Sequence, residues 1–267
     1  MSEEMRLTII IPAFNEEMTI RSVLERILRC VPTVFEVIVV DDGSTDGTAD
    51  QCKEHLRRDE RVRLLQHPTN KGKTAALRTG LLESRGDIIV VQDADLEYDP
   101  GEIPALIEPI VDGKGDVCLG SRFLVRKAGR VLYFRHYVAN KLITFLSNIC
   151  TDLNLTDVET GYKAARSGIL KQMIIESSGF GFEIEFVAKC QKLRARIYEI
   201  PISYYGRTYN EGKKIGFKDG LHALWYILKF NLFRSTARSF KVIPEFHVDA
   251  VSKQQPTNKS LLHGAGH

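Results

Sequence analysis

Two acids separated by one residue, Asp93 and Asp95, follow the apolar run IIVV in the stretch IIVVQDADLEYDP, with Glu97 and Asp99 close behind. In extended chain, residues two apart face the same side, so Asp93 and Asp95 can present two carboxylates to one point. Unneutralised carboxylates raise each other's pKa and cost stability, which makes a divalent cation their natural partner. Mg2+ takes one or two protein carboxylates and completes its shell with phosphate oxygens and water. The pair therefore reads as a handle for a diphosphate. Asp99 and Pro100 read most simply as the turn into a following helix.

Three further clusters carry chemistry. In DDGSTDGT (41–48) the glycines permit tight backbone and the acids can accept hydrogen bonds from a base or ribose, with Asp42 the candidate and Asp46 and Thr48 turn or cap groups. NKGKTAAL (70–77) contains GKT, but a phosphate loop needs a glycine where His67 stands. That reading is rejected, and Lys71 and Lys73 remain as anion contacts. FGFEIEF supplies Glu183 and Glu185, carboxylates able to serve as a base or to bind a sugar. Two apart on a helix, they do not share a face, so one rather than both meets a substrate. Glu185 is the choice, and the plainer role for either is to solvate or cap the helix.

The elements that must position these groups alternate along the first half. LTIII (7–11), EVIVV (36–40), RVRLLQ (61–66), DIIVVQ (87–92) and DVCLG (116–120) are apolar runs of strand length. Helical patterns separate them: from about Glu16, from Ala49 to Arg57, from Lys73 to Ser84, and from Glu102 to Val111. Continuous apolar strands joined by helices imply a parallel sheet covered on both faces. Ligands of such sheets bind beyond the carboxyl ends of the strands, where PAFNEE, DDGSTDGT and QDADLEYDP all begin. The second half is less regular. Val131 to Cys150 reads as a long helix, TDVETGYKAAR as a short strand with a polar entry, and 182–193 as a helix. IYEIPISYY (197–205) reads as a strand that Pro201 sends to an edge or bulge. A polar loop, GRTYNEGKKIG, precedes a helix from Phe217 to about Phe233.

Composition sets the outer limits. The 267 residues are 43% hydrophobic and 27% charged, with a net charge of +3 that is too small to argue for nucleic acid, and no nucleic-acid partner is expected. Five dispersed cysteines without a CxxC pair suit reduced thiols in a cytoplasmic setting. Neither a signal peptide nor a spanning helix is expected.

In order and spacing, IIIPAFNEE, VIVVDDGSTDGT, NKGKTAAL, IIVVQDADLEYDP and GSR (120–122) resemble a family 2 glycosyltransferase of the GT-A fold. The second half, with TDVETGYKAAR, GFGFEIEFVAK and YEIPISYYGRTYNEGKKIGFKDGLHAL, resembles the dolichol-phosphate mannosyltransferase-like branch, which moves a hexose from a nucleotide sugar to a polyprenyl phosphate. The resemblance implies an α/β fold with a Rossmann-like, mostly parallel sheet and helices on both faces. One catalytic domain would span 1–240, with a donor half at 7–122, an acceptor half at 123–240, and a flexible tail at 241–267. It implies that Pro12, Ala13, Asn15 and Glu16 line the base and ribose pocket beside Asp42. Asp93 and Asp95 would be the metal and diphosphate motif for Mg2+ or Mn2+. Glu97 stands at the third metal position, where Gln is frequent in the mannosyltransferases. Arg122 and Arg135 would meet the acceptor phosphate, and Arg207 and Lys213 would sit in a loop closing over the diphosphate.

Two helical segments, around Tyr133–Ile149 and Leu221–Phe233, are rich in large apolar residues edged by Lys and Arg. This suits peripheral contact with an anionic membrane face, or a core or homo-oligomer interface. The expected activity is an inverting, metal-dependent hexosyl transfer. Its alternatives are transfer to a sugar hydroxyl by a soluble enzyme and a non-catalytic nucleotide-sugar-binding protein. A dinucleotide-binding dehydrogenase is excluded, because no GxGxxG follows the first strand.

Overall fold

The computed structural model describes residues 5–124, 130, 133–179, 181–207 and 217–244. Seven strands form one sheet in the order β3-β2-β1-β4-β6-β5-β7. They are β1 (Leu7–Ala13), β2 (Glu36–Asp41), β3 (Val62–Gln66), β4 (Ile88–Val91), β5 (Val117–Ser121), β6 (Lys163–Arg166) and β7 (Ile197–Pro201). The helices are α1 (Ile20–Cys30), α2 (Thr48–Leu56), α3 (Lys73–Glu83), α4 (Ile103–Val111), α5 (Phe134–Thr151), α6 (Ser167–Gln172), α7 (Phe182–Lys192) and α8 (Phe217–Leu232).

The strands are apolar throughout because both faces are covered. Ile9 and Ile11 pack with α1 residues Ile20, Val23, Leu24 and Ile27, while Ile10 faces Ala76, Leu77 and Leu81 of α3. Each such side chain taken from water contributes roughly 1.5–3 kcal/mol. Helix α3 lies so close to β1 that a Cβ on Gly80 would come within 2.5 Å of Ile10 Cγ2. Gly80→Ala would therefore force the two elements apart. The second half joins the same core through α7 and α8, with Phe182, Phe186, Ala223, Ile227 and Phe240 buried together.

One strand departs from the parallel expectation. β6 runs antiparallel to both β4 and β5, with Val91 opposite Lys163. Its small residues Ala164 and Ala165 fit between two buried strands. The reversal has a functional result: the loop entering β6, not the one leaving it, lies beside the carboxyl end of β4. Other boundaries shift modestly. Helix α1 begins at Ile20, since the Glu16 carbonyl accepts hydrogen bonds from the Thr19 and Ile20 amides and closes a turn before it. β7 stops at Pro201 and, among the described residues, is an edge strand paired with β5 alone. Of the tail expected at 241–267, residues 245–267 lie outside the described residues. Lys241 is tied back by its amide to the Gln172 carbonyl at 2.8 Å.

Candidate active site

The carboxyl ends of β1, β2, β4, β5 and β7, the entry to β6, and the first turns of α3 and α7 surround one crevice. Its wall includes Pro12, Ala13, Glu16, Asp42, Lys73, Asp93, Asp95, Glu97, Arg122, Glu183 and Arg207. Asn15, Arg135 and Glu185 are not part of it, and Lys213 lies outside the described residues.

Asp93 and Asp95 sit in the turn after β4 rather than on the strand, yet both carboxylates line the crevice. Asp93 Oδ1 is 2.7 Å from Lys73 Nζ. Asp95 Oδ1 accepts the Glu97 amide at 3.1 Å, and its Oδ2 is 3.5 Å from Arg207 Nη2. Between Asp95 and Glu97, Leu96 takes a left-handed conformation, φ 60°. For a residue with a Cβ this costs on the order of 1–2 kcal/mol, and it breaks the alternation that would keep Glu97 beside the aspartates. The Glu97 carboxylate turns instead to Tyr204 Oη at 2.8 Å and the Arg207 amide at 2.7 Å. Glu97 therefore clamps the segment after β7, and among the described residues it forms no ready-made metal cage with the aspartates.

Asp42, expected to meet a base or ribose, is turned inward. Its carboxylate accepts the amides of Lys71 and Gly72 and lies 2.6 Å from His67 Nδ1. It shapes the loop that delivers Asn70 and Lys73. Asn15 is displaced from its expected role by its left-handed backbone, φ 54°. Its side-chain oxygen accepts the Thr45 amide at 2.9 Å and its own amide binds Ser44 Oγ, so it ties the first two loops together. Glu16 remains in the wall, 2.9 Å from Arg207 Nη2.

Arg122 is buried against Asp157 as a two-pronged pair, at 2.6 and 2.7 Å, with Tyr204 stacked 5.1 Å away. Burial opposes its charge, but Asp157 outweighs burial and raises its pKa further above the usual range. Arg135 is exposed on the first turn of α5 over the Tyr133 ring and does not line the crevice with Arg122.

Glu183 and Glu185 separate as helical geometry demands. Glu183 enters the crevice, 3.3 Å from Lys73 Nζ. Glu185 is 0% exposed and accepts the Glu176 and Ser177 amides at 2.8 Å each, with the buried Lys189 ammonium as counter-ion. It holds α7 to the 174–177 segment, which corrects its assignment as a catalytic or sugar-binding carboxylate. The loop entering β6 adds Asp157, Glu159 and Gly161, which the sequence reading passed over. Their signal was the polar run TDVETGY, whose place depended on the direction of β6. Burial pushes the Glu159 carboxyl up to about 7, aided by the charge of Glu183. Burial works to discharge Lys73, but Asp93 and Glu183 prevail and keep it cationic.

Two features fit a hard divalent cation. The donor set offers two carboxylates, Asp93 and Asp95, as Mg2+ or Mn2+ bound with phosphate requires. Gly161 leaves space over one of them: a Cβ there would come within 2.4 Å of Asp93 Oδ2. Among the described residues no three His, Cys, Asp or Glu side chains form a metal cage by themselves, so phosphate or water would complete the shell.

The fold is α/β, with a polar crevice gathered at the carboxyl ends of its parallel strands. The model of glycosyl transferase family 2 matches residues 8–174, and the chain belongs to that family. An undecaprenyl-phosphate mannosyltransferase from Micrococcus luteus is 33% identical over 222 residues, covering 79% of this chain and 88% of the relative. A dodecaprenyl-phosphate galacturonate synthase from Rhizobium johnstonii is 28% identical over 215 residues, covering 79% of this chain and 62% of its own length. The crystal structure of glucosyl-3-phosphoglycerate synthase from Mycobacterium tuberculosis with Mn2+, uridine diphosphate and glucosyl-3-phosphoglycerate has the same fold. It superposes with a TM-score of 0.67 at 23% identity, covering 85% of this chain and 80% of that one.

Proposed function

We propose that this glycosyltransferase moves a hexose from a nucleoside diphosphate sugar to a polyprenyl phosphate, with inversion at the anomeric carbon. The observation that carries this is the crevice itself, where paired aspartates meet Lys73, Arg122 and Arg207. Family membership and the relatives' lipid-phosphate names support the acceptor class.

Asp93 and Asp95 would hold Mg2+ or Mn2+, which supplies charge neutralisation for the leaving diphosphate. Glu16 and Asp42 shape the nucleotide end, one by anchoring Arg207 and the other by fixing the 67–72 loop. Lys73 and Arg207 place positive charge where the diphosphate leaves. An acceptor phosphate oxygen, already anionic at pH 7, attacks the anomeric carbon. The bond from that carbon to the diphosphate oxygen breaks with its electron pair, so no base is required. Arg122, held rigid by Asp157, offers its remaining N–H groups to the acceptor phosphate.

A lipid acceptor needs an apolar approach. On α5, Phe134, Val138, Leu142, Phe145 and Ile149 form an exposed stripe, and on α8 Leu221, Trp225, Leu228 and Leu232 form a second. These helices pack against each other. No helix among the described residues is long and apolar enough to cross a membrane, and the stripes suit a surface that lies on one.

A sugar hydroxyl is the second acceptor reading, favoured by Glu159, whose pKa of about 7 suits a general base. Incubation of UDP-glucose, GDP-mannose, UDP-GlcNAc and UDP-galactose with undecaprenyl or dolichyl phosphate, with and without Mg2+ or Mn2+, tests the proposal. A labelled lipid product from at least one donor is expected. Label passing only to sugar hydroxyls would favour the second reading.

A further inference from the structure

Glu159 and Glu183 reach the crevice from unrelated elements, the loop entering β6 and the first turn of α7. Each keeps one oxygen shut away from water without a hydrogen-bond partner: Oε1 of Glu159 and Oε2 of Glu183. Glu183 is only 4% exposed, and Lys73 engages its other oxygen. An unsatisfied buried polar atom costs on the order of 1–3 kcal/mol, and more when charged. Two such atoms in one wall mark a place where hydrogen-bond donors are to arrive.

Above about pH 7, where Glu159 has lost its proton, carboxylates here accept hydrogen bonds and cannot give them. The matching ligand surface is a set of hydroxyls, as on a neutral hexose. A hexose carrying its own carboxylate would bring acceptor oxygens and negative charge against two acids. In the proposed complex the cations of the wall are engaged elsewhere, Lys73 and Arg207 with the diphosphate and Arg122 with Asp157 and the acceptor phosphate. Among the described residues, Lys73 faces Asp93 and Glu183, Arg122 faces Asp157, and Arg207 faces Glu16 and Asp95. Lys163, beneath the wall, gives its ammonium to the Thr160 carbonyl.

We infer that Glu159 and Glu183 together recognise the hydroxyls of a neutral donor hexose and exclude uronic acids. This rests on the glycosyl-transfer reading above, and it deepens that reading by naming the donor sugar class. A site that leaves its own buried acceptors unpaired with the wrong ligand can discriminate strongly.

Titration calorimetry with Mg2+ at about pH 8, above the value of about 7 for Glu159, tests this, using UDP, GDP, UDP-glucose, UDP-glucuronate, GDP-mannose and GDP-mannuronate. The native protein is expected to bind one neutral sugar nucleotide at least ~100-fold more tightly than its uronate counterpart. In the double variant Glu159→Gln/Glu183→Gln that gap should shrink to about tenfold or less, with UDP and GDP still bound. Equal affinity of the native protein for the neutral and uronate donors would overturn the inference whether or not the variant folds. So would an unchanged gap in the variant. Binding of no nucleotide and no sugar nucleotide would instead overturn the glycosyl-transfer reading itself.

Discussion

The Lys73 ammonium lies 2.7 Å from Asp93 Oδ1, so one arm of the aspartate pair is matched by a cation from the first turn of α3. Arg207 approaches the other arm, 3.5 Å from Asp95 Oδ2. The crevice thus holds alternating charges at close range, and the metal diphosphate of the proposed reaction would exchange places with both pairs. Asp95→Asn should lower transfer at least ~100-fold, the scale of removing one electrostatic stabiliser of a leaving group. The check is the rate as a function of Mg2+ concentration. Full activity in the variant, or in excess chelator, would refute the assignment.

Glu183 and Glu185 should respond in opposite ways to the same change. Breaking the buried Glu185–Lys189 pair by Glu185→Gln leaves the buried ammonium with the Ile174 carbonyl and a more distant Glu176 oxygen at 3.9 Å, costing about 3–5 kcal/mol. In a protein of this size that lowers Tm by ~10 °C or more. Glu183→Gln should leave Tm within a few degrees while weakening turnover or donor binding. Thermal melts beside steady-state kinetics separate the two.

Glu159 supplies a pH dependence with a defined sign. Its pKa rises from 4.5 to about 7 in the folded protein, through burial first and then Glu183, with Asp157 adding to the rise and Arg122 and Lys163 opposing it. Between those two values the folded state keeps a proton that the unfolded chain has lost. Stability from this group is therefore full below pH 4.5 and is lost as pH rises through about 7. The ceiling is ~3 kcal/mol. Glu159→Gln should stabilise the protein more at pH 8 than at pH 5, and an equal Tm change at both would contradict the assignment.

Arg122→Ala should damage the fold as well as the acceptor site, because Asp157 is fully buried and would lose its partner. A loss of about 3–5 kcal/mol is expected from such a pair. Replacing both, as Arg122→Met/Asp157→Leu, should recover most of that stability without recovering use of a phosphorylated lipid. Recovery of both would assign Arg122 to structure alone.

The apolar stripes on α5 and α8 predict association with lipid. Co-sedimentation with anionic phospholipid vesicles should fall at least ~10-fold for Phe134→Glu/Trp225→Glu, since each ring removed from water contributes roughly 1.5–3 kcal/mol. Both residues are more than half exposed, so the fold should tolerate the change. Unaltered vesicle binding would place the membrane face elsewhere.

Much of this was legible in the chain itself. The apolar runs marked β1 to β5, and their polar sequels marked the crevice, because strand ends are where a covered parallel sheet is open. Pro201 correctly announced an edge. Three things were hidden. The direction of β6 depends on which neighbours accept its small Ala164 and Ala165, and that tertiary choice brought Asp157 and Glu159 to the site. The left-handed turns at Asn15 and Leu96 redirected Asn15 and Glu97, and neither is glycine, the usual signal of such backbone. Helical spacing showed that Glu183 and Glu185 must diverge, but which one faced the crevice depended on the packing of α7 and on the buried ammonium of Lys189.

The most direct test is an acceptor comparison. Undecaprenyl phosphate and its dephosphorylated alcohol would be offered in matched vesicles with a sugar nucleotide that the protein binds and Mg2+, and the lipid products identified by mass. The account predicts a hexosyl phosphate lipid from the phosphate and no product from the alcohol. Glycosylation of the alcohol, or lipid product formed equally well with chelator, would contradict it.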